Sequence, residues 1–340
     1  MSLSEKTNAV REDGRADAIR LSDIDISKAF AAAVRLVDEV EKVIIGKRGE
    51  IILLTTALLA GGHILIEDVP GVGKTTLAAA LARAAGLDFR RAQFTPDVTA
   101  SDITGFNIYN RSNEGFEFTQ GLVMTNVLLA DEINRASPKT QSALLEAMEE
   151  SRVTVDGKTY ALPNPFMVIA TQNPSGFVGT YPLPEAQLDR FSMKLSMGYP
   201  SPDEELSIVE GRTDADPLDS IDSVSSVKMI RLLRALTSTV RVDRSLCTYI
   251  VKLVRATREH RSVALGASPR ASLALKRISQ AYAFMRGRTY VIPEDVAEIF
   301  SPVIAHRLIL KQEAQLGGAT RETVLEDVLR SVAVPYKGER

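Results

Sequence analysis

The sequence has few of the residues that build disulfides and structural zinc sites. Among its 340 residues there is one cysteine, Cys247, and there are three histidines, at positions 63, 260 and 306. A single cysteine forms no intrachain disulfide, and the scattered histidines do not have the spacing of a zinc site. This composition excludes a disulfide-stapled scaffold and indicates a reducing, cytoplasmic compartment.

Long apolar runs and an excess of positive charge are also missing. No stretch approaches the roughly 18 apolar residues of a membrane span, and residues 1–20 lack the apolar core of a secretory signal. There are 41 Lys and Arg residues and 43 Asp and Glu residues, which gives a net charge of −2. This balance argues against a protein that coats nucleic acid by counterion release.

The apolar and charged residues that are present indicate a globular chain of two domains. Hydrophobic residues make up 45% of the sequence and charged residues 25%, which is enough to bury a sizeable core. Residues 1–24 predict a mobile tail. From 25 to 200, β-type runs alternate with helical stretches, which predicts a parallel sheet between helices. Residues 201–335 show helix-period patterns without comparable strand runs and predict a second domain that is helical. The five predicted strands are 63–67, 89–94, 126–130, 166–171 and 193–197.

A glycine-rich run leaves the first predicted strand and enters an alanine-rich helix. This run, DVPGVGKTT, covers residues 68–76. The order of strand, Gly-Lys-Thr loop and helix is that of a phosphate-binding loop, so we expect a bound polyphosphate here. Gly73 allows close backbone approach, Lys74 supplies a charge and the Thr75 hydroxyl can hold Mg²⁺. The predicted nucleotide-binding residues of the loop are Pro70, Gly71, Val72, Gly73, Lys74, Thr75 and Thr76.

The loop departs from the usual pattern at its first position, where Asp68 replaces a glycine. Because an acid beside phosphate is unfavourable, we expect the Asp68 carboxylate to point away from the anion. A glycine-rich turn that merely opens a helix is the structural alternative for the whole run.

Two acids, Asp131 and Glu132, follow the third predicted strand. Ligand sites of parallel sheets lie at the carboxyl ends of the strands. Asp131 suits Mg²⁺, and Glu132 would polarise a water for attack on the γ-phosphate. The alternative, that these acids cap the next helix, is weaker because Ser137 and Pro138 form a better start for a helix over 138–150.

The fourth predicted strand ends in amides. Asn173 could orient the attacking water or contact the γ-phosphate without adding charge. An Asx turn before Pro174 would explain the same residue without a ligand.

These motifs, together with LPEAQLDRF (183–191), GASPRA (266–271) and the QFTPD and SDITG segments, resemble the MoxR family of AAA+ ATPases over about residues 24–335. The resemblance implies an α/β fold, with an αβα phosphate-loop core around a parallel five-stranded sheet and a small all-helical lid. It also implies ATP hydrolysis with Mg²⁺ in homo-oligomeric rings, usually hexamers. Such rings act as chaperone-like remodellers that mature or activate protein complexes, often with a partner that carries a von Willebrand factor A domain.

The resemblance also gives roles to matching residues. Asn173 resembles the first sensor, Arg190 the arginine finger that reaches a neighbouring subunit, and Arg270 the second sensor. A surface ion pair for Arg190, with Asp189 or Glu185, and plain exposure for Arg270 are the structural alternatives. The segment that resembles an adenine contact comprises Val43, Ile44, Ile45 and Gly46.

Two segments, 105–121 and 151–163, have the pattern of β-hairpins, the second with Asp156 and Gly157 at its turn. In related rings such hairpins can face the pore, although hairpins that only extend the sheet are the alternative. Because helicases share both hairpins, a DNA-dependent motor is a competing function, opposed by the net charge. A nucleotide-gated scaffold with little turnover is a third.

Overall fold

The computed structural model describes residues 26–112, 114–172, 181, 183–211 and 216–335. The predicted tail over 1–24 lies outside these ranges. Among the helices they contain, none has the length and apolar character needed to cross a membrane.

The first part of the chain alternates helices and strands as predicted. Its elements are α1 (Ile26–Glu41), α2 (Arg48–Ala60), β1 (Ile64–Glu67), α3 (Lys74–Ala84), β2 (Phe89–Gln93), α4 (Ala100–Thr104), β3 (Gly105–Asn110), β4 (Gly115–Gln120), β5 (Val127–Asp131), α5 (Pro138–Glu150), β6 (Arg152–Val155), β7 (Lys158–Ala161), β8 (Met167–Gln172), α6 (Glu185–Leu188) and β9 (Met193–Leu195).

Five of these strands form one parallel sheet in the order β2-β5-β8-β1-β9, which confirms the five predicted strands. Successive residues of a strand point to opposite faces. In β5, Val127 and Leu129 accordingly join one apolar cluster while Leu128 and Ala130 join another. Because the strands are parallel, the carboxyl ends of β1, β5 and β8 meet at one edge of the sheet.

Both predicted hairpins are present, as β3–β4 and β6–β7. Asp156 and Gly157 have φ values of 48° and 78°, the left-handed conformation that tight hairpin turns require. Each hairpin is a two-stranded sheet of its own, so the alternative that they extend the main sheet is wrong. The hairpins contact each other: the Phe118 and Tyr160 rings stack with centroids 3.9 Å apart, and Asn107 Nδ2 donates to Asp156 Oδ2 at 2.7 Å.

The second part of the chain is mainly helical, with α10 packed against α8, α9 and α11 and against α2 of the core. A short antiparallel pair, β10–β11, departs from an entirely helical lid. Strands of three and two residues are too short to leave a periodic pattern in the sequence. The predicted boundaries at residues 24 and 200 stay predictions. The elements are α7 (Pro202–Glu210), α8 (Val227–Thr239), α9 (Arg244–Glu259), β10 (Val263–Leu265), α10 (Pro269–Met285), α11 (Pro293–Ile304), β11 (Ile309–Leu310), α12 (Gln312–Leu316) and α13 (Arg321–Ser331).

Side chains of α8 satisfy backbone groups at the end of α2. The last carbonyls of a helix have no partner within that helix. Arg234 Nε donates to the Leu58 carbonyl at 2.8 Å, and Thr237 Oγ1 donates to the Leu59 carbonyl at 3.1 Å. These bonds fix the lid helices against the core.

Candidate nucleotide-binding site

The loop between β1 and α3 has the backbone of a phosphate cradle. Gly71 and Gly73 have φ values of 88° and 87°, which a residue with a Cβ adopts only at a cost. Gly73 is the N-cap of α3 and has no side chain with which to cap it. The first amides of α3 are therefore left to bind an anion.

Lys74 is buried at the start of α3. Its Nζ donates to the carbonyls of Asp68 at 2.8 Å and Val69 at 3.2 Å. Burial lowers the pKa of Lys74, while the carboxylates of Asp68, Asp131 and Glu132 oppose this shift. A bound triphosphate would stabilise the ammonium further, because it adds negative charge where water is scarce.

Asp131 ends β5 with its carboxylate held on both oxygens. Oδ1 accepts from Thr171 Oγ1 at 2.6 Å, and Oδ2 accepts from Arg91 Nη2 at 2.7 Å. Neither Thr171 nor Arg91 was predicted from the sequence. Thr171 is the penultimate residue of β8. This strand lies beside β5, where Ala130 pairs with Ala170, so the strand order would have identified Thr171.

Glu132 follows immediately in a left-handed conformation, with φ 55° and ψ 49°. Its N–H donates to Thr171 Oγ1 at 2.9 Å, and its Oε2 accepts from Arg135 Nη1 at 3.0 Å. Thr171 therefore binds both predicted acids, one through the side chain and the other through the backbone. This arrangement brings Asp131 and Glu132 to the sheet edge where the phosphate loop also begins.

The donor set suits a magnesium ion that arrives with its nucleotide. Within the described ranges, no three His, Cys, Asp or Glu side chains lie close enough together to hold a metal. Mg²⁺ commonly keeps several waters and takes one or two protein ligands plus phosphate oxygens. Thr75 in the first turn of α3 and Asp131, already bonded on both oxygens, fit that pattern.

The predicted first sensor, Asn173, lies outside the described residues and stays a prediction. Its neighbour Gln172 ends β8, and its Nε2 donates to Glu67 Oε1 at 2.9 Å. Lys194 forms an ion pair with the other oxygen of Glu67. These contacts tie together the ends of β1, β8 and β9.

The predicted adenine segment, Val43 to Gly46, connects α1 to α2. Ile44 is buried, and Gly46 has a φ of 74°. The Glu204 side chain lies against Gly46, 2.0 Å from where a Cβ would be. A larger residue therefore could not replace this glycine without moving Glu204.

The structure brings Arg190 and Arg270 together, because Glu149 of α5 binds both. Arg190 Nη1 lies 2.8 Å from Glu149 Oε2 and donates to the Leu145 carbonyl at 2.7 Å. Arg270 pairs with Glu149 Oε1. The partner of Arg190 is therefore Glu149, and not Asp189 or Glu185 as the structural alternative had it.

Both arginines line a cleft of about 700 Å³ between core and lid. Loop residues 70–76, all of which the structure describes, are not among the residues that line it. The two arginines thus line a cleft to which the phosphate loop of the same chain does not contribute.

A buried cluster beside this cleft holds the LDRF segment in place. Arg307 Nε donates to Asp189 Oδ1 at 2.7 Å, and its Nη2 donates to the Phe191 carbonyl at 2.7 Å. His306 lies within hydrogen-bond distance of the same carbonyl, and burial lowers its pKa well below 6.5. Ser268, the N-cap of α10, donates to Asp189 Oδ2 at 2.7 Å. Asp189 thus anchors Arg190 to the lid.

The profile of the ATPase family associated with various cellular activities matches residues 63–193, and an AAA lid domain matches residues 255–328. The first match runs from the end of α2 to β9 and contains the phosphate loop and both acids.

Relatives that match most of the chain identify the family within the AAA+ ATPases. The chain is 50% identical to the uncharacterized protein YeaC of Bacillus subtilis, over 89% of this chain and 95% of that protein. It is 43% identical to Chaperone MoxR1 of Mycobacterium tuberculosis, over 88% and 82%. The crystal structure of a proposed ATPase from Cytophaga hutchinsonii superimposes with a TM-score of 0.85 at 40% identity, covering 92% of this chain and 97% of that one. The chain therefore belongs to the MoxR family of AAA+ ATPases, which hydrolyse ATP.

Proposed function

We propose that this ATPase works as a homo-oligomeric ring in which each nucleotide lies between two subunits. One subunit would supply the loop over residues 70–76, and its neighbour would supply Arg190 and Arg270. The observation that carries the proposal is the binding of both arginines to Glu149, in a cleft separate from the loop of the same chain. Arginines placed there would meet the nucleotide of another subunit. A ring of six subunits is what the family resemblance implies.

Within one site, the residues would divide the work as follows. Lys74 and the first amides of α3 would bind the β- and γ-phosphates. Thr75 and Asp131 would hold Mg²⁺, whose charge would offset that of the phosphate oxygens. Glu132 polarises the attacking water and Asn173 orients it. Val43, Ile44, Ile45 and Gly46 would contact adenine.

Subunit mixing tests the shared site. Arg190→Ala retains its loop, and Lys74→Ala retains its arginines, so each variant alone should be inactive. In equal mixtures, a competent interface needs the loop of one variant beside the arginine of the other. Random assembly gives such interfaces at about a quarter of positions, so about a quarter of wild-type turnover should return.

The control mixes Arg190→Ala with Arg190→Ala/Lys74→Ala, which share the same defect and should stay inactive. Repeating the mixture with Arg270→Ala in place of Arg190→Ala tests the second arginine. If Arg190→Ala alone retains full turnover as a monomer, or if the mixtures regain none, the shared site is refuted.

We also propose that the ring remodels client proteins. A relative at 43% identity is named a chaperone. The β3–β4 hairpin exposes apolar side chains that a client could bind: Phe106, Ile108, Tyr109 and Phe116. The von Willebrand factor A domain partner rests on the family resemblance.

A client role can be tested with a heat-unfolded enzyme such as citrate synthase as the probe. The wild type should reduce its aggregation when ATP is present. Phe116→Ser should weaken that protection while its ATPase rate stays unchanged. Equal protection by wild type and variant would remove the hairpin from the proposal.

The DNA-motor alternative predicts a different response. Turnover measured with and without single- and double-stranded DNA should be equal for a client remodeller. Several-fold stimulation by DNA would favour the motor instead.

A further inference from the structure

Asp68, which stands where phosphate loops usually begin with glycine, is a buried carboxylate with bonds on both oxygens. It is 7% exposed. Oδ1 accepts from the N–H of Val69 at 3.1 Å. Oδ2 accepts from the N–H of Met197, from the N–H of Gly198 at 2.9 Å, and from Ser196 Oγ at 3.2 Å. The carboxylate therefore points away from the loop, toward the chain that follows β9.

That chain is the connector, residues 196–201, which leads from the last core strand into α7. Backbone N–H bonds to a carboxylate are among the stronger hydrogen bonds in proteins. Removing the carboxylate would leave two amide donors of the connector without their acceptor. Asp68 thus fixes the path of the chain from the core toward the lid.

The backbone carbonyl of Asp68 contacts Lys74 of the phosphate loop. This carbonyl accepts from Lys74 Nζ at 2.8 Å. A triphosphate in the loop would draw this ammonium toward phosphate oxygens and weaken its bond to the carbonyl. One residue therefore contacts both the lysine that responds to nucleotide and the connector.

The connector also reaches the residue that follows the predicted adenine segment. Lys47 Nζ donates to the Tyr199 carbonyl at 3.1 Å. Just beyond the connector, Glu204 of α7 packs against Gly46. The connector and the first turn of α7 together therefore contact Asp68 at the phosphate loop, Gly46 of the predicted adenine segment and the adjacent Lys47.

We propose that Asp68 is a positioning residue that couples the nucleotide in the phosphate loop to the connector, and through it to the lid. The aspartate replaces the common glycine because this coupling needs a side chain that reaches residues 196–198. The inference rests on the ATPase activity and is independent of the shared site between subunits.

Asp68→Gly restores the common loop residue and provides the test. Three quantities are measured on the full chain: affinity for a fluorescent ATP analogue, kcat, and hydrogen exchange of the peptide 194–201 with and without MgATP. In the wild type, MgATP should change exchange of the Met197 and Gly198 amides. In Asp68→Gly, affinity should stay within about threefold while kcat falls about tenfold, and the exchange response should be lost.

Two further variants make the result specific. Asp68→Asn retains the size and one acceptor oxygen, so its kcat and exchange response should be intermediate, and it decides the question if the glycine variant does not fold. Asp243→Gly removes a carboxylate that accepts the Ser245 N–H at 3.0 Å on α9. This control should keep the wild-type kcat and exchange response.

Several results would overturn the coupling. One is a stable Asp68→Gly variant that keeps its kcat or its exchange response. Another is a wild type in which MgATP does not change exchange of the connector amides. A variant that loses affinity as strongly as kcat would place Asp68 in phosphate binding instead. The mixing experiment above can fail without affecting any of these results.

Discussion

Thr171→Val removes one hydroxyl from the centre of the site and preserves the shape of the side chain. Thr171 is 1% exposed, donates to Asp131 Oδ1 at 2.6 Å and accepts from the N–H of Glu132 at 2.9 Å. Valine makes neither bond, so one carboxylate oxygen and one amide lose a partner. An unsatisfied buried group costs about 1–3 kcal/mol.

Some of this cost is offset by water or by a shift of the strands, so we expect a loss of about 2–3 kcal/mol of stability. In a domain of this size each kcal/mol lowers the thermal midpoint by about 2–4 °C, so the midpoint should fall by about 4–12 °C. Because Asp131 and Glu132 each lose one of the bonds that position them, kcat should fall by about 100-fold. The KM for ATP should change little, since Lys74 and the loop are untouched.

Thr171→Ser, which retains the hydroxyl, is the matched control and should retain most of the kcat. Turnover is measured by phosphate release well below the midpoint of each variant, and stability by thermal unfolding. A valine variant that loses stability but keeps its kcat would mean that Thr171 only braces the sheet, and the positioning of Glu132 would need another explanation.

Three other substitutions give outcomes that differ in kind. Glu132→Gln should still bind ATP while kcat falls by about 10²–10⁴-fold; turnover that is already at background in the wild type and unchanged in the variant would favour the scaffold alternative. Burial lowers the pKa of His63 from 6.5 to about 4, so the unfolded chain binds more protons than the folded protein between these two pH values. The wild type should therefore lose about 3 kcal/mol of stability as the pH falls through that window. The thermal unfolding midpoints of wild type and His63→Gln should converge as the pH falls, and midpoints that fall in parallel would contradict this. Arg307→Ala removes the buried partner of Asp189 and should lower the free energy of unfolding by about 3–5 kcal/mol. Lysine cannot contact both the Asp189 carboxylate and the Phe191 carbonyl as arginine does, so Arg307→Lys should recover little of this stability. Full recovery by lysine would show that charge alone matters.

The parts of the fold that sequence analysis predicted are those set by local patterns. Short β-type runs between helical stretches identified the strands, and Asp156 with Gly157 identified a hairpin turn. Ser137 caps α5 at the predicted helix start and accepts a backbone N–H of that helix. Such signals are contained within a few consecutive residues, so no tertiary information is needed to interpret them.

The contacts that sequence analysis missed join residues far apart in the chain. Thr171 meets Asp131 because β8 lies beside β5, and Glu149 meets Arg190 and Arg270 because α5, the LDRF segment and α10 converge on one cleft. The orientation of Asp68 was expected, but its partners were not, since they lie nearly 130 residues further along. Each of these pairings depends on the order of the strands or on the placement of the lid, which local patterns do not specify.

The backbone of Glu132 provides a further argument that the edge of β5 is built for chemistry. Its left-handed conformation, with φ 55°, costs a residue with a side chain about 1–2 kcal/mol. Glycine would remove this cost, but its greater conformational freedom in the unfolded chain would lower stability by about 0.5–1 kcal/mol. Glu132→Gly should therefore raise the thermal midpoint slightly or leave it unchanged while it abolishes turnover.

The matched control is Glu114→Gly, at another left-handed glutamate, with φ 48°, in the β3–β4 turn away from the phosphate loop. It should gain similar stability and retain its ATPase rate. If Glu132→Gly were instead destabilised by more than about 2 kcal/mol, the carboxylate would be stabilising the fold. Strain at Glu132 would then have a structural cause, and its conformation would no longer support a catalytic role.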